Sequence, residues 1–162
     1  MEYFIHIVIL VSIYGILALA QNLVMGNTGL LTIAGAAFYG IGAYVAAVLS
    51  IKFGFNIFTT LFIAPIIAGI IALIVGTSFA RFRDDYFMLA TLGFLMIFNT
   101  VVRNWESLTG GSFGLSGIPK PHFFNLVLGT PFSFVWLALA ILIFVIIVTY
   151  LISRSSFGRV LY

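Results

Sequence analysis

Few residues in this chain are suited to chemistry, and their spacing argues against most of it. Asp84 and Asp85 are adjacent carboxylates, whereas acid–base catalysis needs groups that face a common substrate. Neighbouring positions on a helix point about 100° apart, so these two do not face each other. Gly110-Gly111-Ser112-Phe113-Gly114 has the glycine density of a phosphate-cradling loop, but it lacks the Lys-Ser/Thr ending and follows no strand. His6 and His122 lie far apart with no second ligand at metal-binding spacing, so no metal site is expected. The chain has no cysteine, which removes thiol catalysis, disulfides and thiolate metal sites together. No Ser-His-Asp arrangement can be assembled. No catalytic residue is assigned, and the chain is expected not to be an enzyme.

The elements that would have to position any site are apolar. Tyr3 to Ile51, Phe53 to Ala80 and Pro121 to Ser153 contain no Asp, Glu, Lys or Arg. A helix rises about 1.5 Å per residue and a bilayer core is about 30 Å thick, so about 20 apolar residues cross it. Hydrophobic residues make up 63% of the 162 and charged residues 7%, against about a quarter charged in ordinary soluble domains. A water-soluble fold of this size could not hide so much apolar surface. The spacing predicts membrane spans at about 3–24, 30–49, 57–79, 86–102 and 132–152. Lipid offers backbone groups no hydrogen bonds, and the runs do not alternate with period two, so the spans are helices rather than barrel strands. The expected fold is all-α and polytopic, with about five transmembrane helices in one transmembrane domain over 1–162.

Tyr3 to Ala20 ends in Ala18-Leu19-Ala20, like a cleavable signal. Its only early charge is Glu2, and apolar sequence resumes after Gln21-Asn22, so the first span is expected to be retained. Pro65 removes one helix hydrogen bond from the third span. The net charge of +3 is scattered between spans, with no basic block of the kind that binds nucleic acid. Arg81, Arg83, Arg154 and Arg159 fall on one side of the membrane, and Lys52, Arg103 and Lys120 on the other. This bias is too small to orient the protein by itself.

Polar and small residues mark the places where the spans do more than anchor. Gln21 and Asn22 precede Met25-Gly26-Asn27-Thr28-Gly29, which is either an interfacial turn or a break in a helix beside a substrate path. The second span carries small residues at three- and four-residue spacings, among them Ala36, Gly40, Gly42, Ala43 and Ala47. They permit close helix packing, or a thin wall on a translocation path. Thr91 and Asn99 lie within the fourth span, where such groups usually bond across helices. No carboxylate lies inside a span, so a proton relay lacks its carrier and the energy for any transport comes from elsewhere.

Four stretches, in order along nearly the whole chain, resemble one family. They are Asn22 to Leu31 with Ala36 to Tyr44, Arg83 to Phe94, Asn104 to Gly111 with Gly114 to Pro119, and Arg154 to Arg159. In that order the chain resembles the inner-membrane permease subunit of branched-chain amino-acid ABC importers, the LivM type. The urea-importer permease is a close relative. Asp84 departs from the pattern, since the family commonly has glycine there.

The resemblance implies a multi-pass inner-membrane protein that pairs with a second, related permease. Two cytoplasmic ATPases and a periplasmic or lipid-anchored binding protein complete the assembly it implies. ATP is used by the partner ATPases, and this chain binds no cofactor. Asn22, Gly26, Asn27, Thr28, Gly29, Gly40 and Gly42 become candidates for the substrate pathway. Trp105, Thr109, Gly110, Gly111 and Gly114 become candidates in an external loop, and Arg154, Phe157, Gly158 and Arg159 in the contact with the ATPase. The C-terminus is then cytoplasmic. Family members are longer, which implies that the chain is the N-terminal half of a permease or one piece of a split subunit. The alternatives are a permease for urea or another small polar solute, and a small assembly subunit without transport of its own.

Overall fold

The computed structural model describes residues 2–29, 31–117, 122–123, 126–127 and 131–154. Among the described residues six helices follow one another: α1 (Glu2–Thr28), α2 (Gly35–Lys52), α3 (Ile57–Phe79), α4 (Asp84–Asn104), the short α5 (Glu106–Thr109) and α6 (Pro131–Arg154). A 3-10 turn, Gly111–Phe113, follows α5. Two short strands, β1 (His122–Phe123) and β2 (Leu126–Val127), pair antiparallel with His122 opposite Val127. All the helices but α5 are long and apolar enough to cross a membrane, five among the described residues. The protein is an all-α, multi-pass membrane protein.

The ends of the helices are set by local chemistry that hydropathy does not report. α1 runs through Gly26 to Thr28, four residues past the expected end at 24. It stops at Gly29, whose φ of 68° only glycine adopts without strain. The Gly29 amide donates to the Met25 carbonyl at 3.1 Å, which closes the helix with a left-handed cap. The passage is thus helical through Gly26 and turns only at its last glycine. α2 begins at Gly35 rather than at 30, because Thr32 Oγ1 accepts from the Ala34 amide at 3.2 Å and holds the chain in a turn before the helix. α3 continues through Pro65 as one helix.

The chain forms two compact units. In the first, α1 lies against α6. Gly15 gives α6 room there, since a Cβ on it would lie 3.3 Å from Leu142 Cδ1. Ser12 is buried, and its hydroxyl donates to the Val8 carbonyl at 2.7 Å, so this hydroxyl is not left to lipid.

The second unit spans residues 31–127. α2 and α3, joined by the short 53–56 turn, lie side by side. Ala37 and Ile41 on α2 and Thr60 and Ala64 on α3 are buried, each pair one helical turn apart. Phe94 of α4 meets Phe38 of α2 at 5.5 Å between ring centres and Phe79 of α3 at 6.4 Å, edge-on. One aromatic ring therefore joins the three membrane-crossing helices of this unit.

Candidate functional site

In the first unit, the pathway candidates lie on the last two turns of α1. Asn22 and Gly26 are exposed and one turn apart, and a Cβ on Gly26 would stand 3.0 Å from Asn22 Oδ1. The missing side chain leaves the Asn22 carboxamide lying along the helix over Gly26. Asn27 and Thr28 belong to the same helix by their backbone, and Gly29 caps it. Arg154, the last residue of α6, is exposed and holds its guanidinium 5.5 Å from the centre of the Tyr150 ring. Phe157, Gly158 and Arg159 lie outside the described residues.

In the second unit, α2 and α4 run parallel and in register. The Ile33 amide donates to Thr91 Oγ1 at 3.3 Å, while the same hydroxyl donates to the Met88 carbonyl at 2.9 Å. Thr91 is buried and so spends its hydroxyl on fixing the approach to α2. Seven residues further along each helix, Gly40 faces Phe98, where a Cβ would lie 2.6 Å from Phe98 Cε1. Gly40 therefore sits at a close helix contact, whereas Gly42 has open space where a Cβ would be. Asn99, beside Phe98 in sequence, is exposed rather than bonded across helices.

The external-loop candidates are the ones that the structure draws together. Thr109 is buried and shares its hydroxyl proton between the Val102 carbonyl at 2.6 Å and the Trp105 carbonyl at 2.7 Å. The Val102 carbonyl is one that the end of α4 would otherwise leave without a partner. Thr109 Oγ1 also accepts from the Gly111 amide at 3.3 Å. Gly110, at φ 73°, approaches the Gly114 carbonyl too closely for any side chain. A Cβ on Gly111 would lie 3.0 Å from Glu106 Cγ and 3.2 Å from the Arg103 carbonyl. Residues 105–114 thus form a compact knot closed by one hydroxyl and two close backbone approaches. Lys52, at the end of α2, fastens it: its Nζ donates to the Ser107 carbonyl at 2.6 Å.

Sequence reasoning missed Lys52 and Phe98 as partners of these candidates. Neither stands out in hydropathy, and each is defined by a residue more than fifty positions away. Thr91 carried a signal, a hydroxyl in an apolar span, and it does bond outside its own helix.

The family model for the permease component of branched-chain amino acid transport systems matches residues 3–162. The chain belongs to this family. The chain is similar to the high-affinity branched-chain amino acid transport system permease protein LivM of Escherichia coli (strain K12), 40% identical over 122 residues. The corresponding protein of Salmonella typhimurium (strain LT2) is 38% identical over 122 residues. In both cases the match covers 75% of this chain and 29% of the relative, so the matched part of the chain spans less than a third of those proteins. No solved structure matches the chain.

Proposed function

We propose that this chain forms part of the transmembrane permease subunit of an ATP-driven importer, walling the path by which branched-chain amino acids cross the inner membrane. The carrying observation is a family match across residues 3–162 on a chain with five membrane-crossing helices. The permease contributes no chemistry to the solute. Its spans form one region, 1–162, of a pathway that opens alternately as partner ATPases close and separate.

In this reading the end of α1, from Asn22 to Gly29, and the open flank of α2 at Gly42 border the solute path. Gly40 contributes by seating α2 on Phe98. The knot at Trp105, Thr109, Gly110, Gly111 and Gly114 faces the solute-binding protein's side of the membrane. Arg154, Phe157, Gly158 and Arg159 lead into the ATPase contact, with the C-terminus in the cytoplasm. A second permease, two ATPases and a binding protein complete the assembly.

The test is copurification. The tagged permease is extracted from its native cell in mild detergent, and its partners are identified by mass spectrometry. An ATPase and a second permease are expected. Recovery of the permease without either, together with unchanged uptake of branched-chain amino acids on its deletion, would sink the reading. In a full-length context, Arg154→Glu with Arg159→Glu should weaken ATPase association, and unchanged association would remove that role.

A further inference from the structure

Two groups of exposed aromatic rings stand at the same end of the second unit. Phe53 follows Lys52, the last residue of α2, and Trp105 follows Asn104, the last residue of α4. The bond from Lys52 to the Ser107 carbonyl holds these two helix ends together. Phe53 and Phe55 stack at 6.2 Å between ring centres and 13° between planes. Phe53 is 67% exposed, Trp105 50%, and Phe113, in the knot, 102%.

A fully exposed phenylalanine on a floppy loop could fold back onto its own chain. Phe113 cannot do so readily, because the knot around it is closed by Thr109 and by the approach of Gly110 to Gly114. The backbone that carries the ring is held by the knot. The phase next to it follows from where the spans stop: both groups begin at the residue after a membrane-crossing helix ends. At that level lie the lipid headgroups, where Trp and Tyr rings concentrate. The flanking charges agree. Lys52 and Arg103 are exposed beside these rings, and the Lys52 ammonium keeps donors beyond the one given to Ser107 for a lipid phosphate.

We propose that the 105–114 knot and the 53–55 turn form a membrane-surface foot that seats Trp105 and Phe113 in the headgroup layer of one leaflet. Lys52 holds the two halves of the foot together. The occupant is lipid, because the surface continues directly from helix ends that already stand in the bilayer.

The test uses the chain's two tryptophans, Trp105 and Trp136. Trp136→Phe leaves Trp105 as the sole reporter, and Trp105→Phe with Trp136→Phe and Phe113→Trp moves the reporter to position 113. The full chain is reconstituted in phosphatidylcholine vesicles carrying bromine either near the headgroups or near the ends of the acyl chains. Both reporters are expected to emit to the blue of tryptophan in water and to be quenched more by the shallow bromine. Phe113→Asp should reduce shallow quenching of Trp105. Water-like emission without quenching, in protein that keeps its helical circular dichroism, would overturn the proposal. Stronger quenching by the deep bromine would overturn it too. So would emission that shifts to the blue only when a solute-binding protein is added, since the surface would then dock protein.

Discussion

Gly40 of α2 and Phe98 of α4 are in contact, with the ring of Phe98 occupying the volume that a side chain on Gly40 would need. The match is one of shape. A small residue on one membrane helix admits a large ring from the next, and apolar helices in lipid associate through packing of this kind.

Gly40→Ala should therefore destabilise the second unit by about 1–3 kcal/mol, the usual range for overpacking. The clash falls on the far end of a side chain, so Gly40→Ala with Phe98→Leu should recover much of the loss. Thermal unfolding of the detergent-solubilised permease reads both variants. Additive losses in the double variant would deny the contact.

Thr109→Val keeps the shape of the side chain and removes the hydroxyl that closes the knot. A cost of about 1–3 kcal/mol is expected for the buried groups left unpaired, while Thr109→Ser should come close to the parent. Gly110→Ala should be worse than either, because its new methyl meets the fixed Gly114 carbonyl and the backbone has φ 73°. Limited proteolysis between residues 105 and 114 is the readout, and equal cleavage of parent and variants would refute the knot.

Thr91→Val leaves the Ile33 amide without its acceptor. Hydrogen exchange at Ile33 and Ala34 should quicken while exchange in the middle of α4 stays slow. Uniform quickening across α4 would mean that Thr91 serves the helix rather than the turn.

Lys52→Met should loosen residues 105–109 with little change in global stability, because the bond it removes is exposed and worth about 1 kcal/mol or less. Faster exchange confined to α5 is the expected pattern. No change there would show that the knot stands without Lys52.

The absence of cysteine makes the proposed orientation directly testable. Ser112→Cys should react with a membrane-impermeant maleimide in intact cells, and Phe82→Cys only after the membrane is opened. The reverse pattern would put the C-terminus outside.

The membrane-crossing helices were legible in the sequence because lipid imposes one strong demand, long runs without charge, and Tyr3 to Ile51 or Pro121 to Ser153 meet it plainly. Their ends were less legible. Hydropathy does not register that Gly29 takes a left-handed conformation, or that Thr32 turns the chain just before Gly35. The glycines of 110–114 stood out as a group, yet the reason for them, a close backbone approach sealed by Thr109, depends on contacts that composition does not encode. Gly40 was visible as a small residue in a packing-rich span. That its counterpart is Phe98 rests on the register of α2 against α4, which nothing local announces.

That register makes a tie rod. Thr91 holds the strap before α2 at one end, Phe98 keys into Gly40 along the shaft, and Lys52 grips the knot at the other. From Thr91 to the end of α4 is about 20 Å at the helical rise, most of the depth of a bilayer core. A push along α4 cannot be absorbed at one membrane face alone: it drags the opposite face with it or breaks a joint.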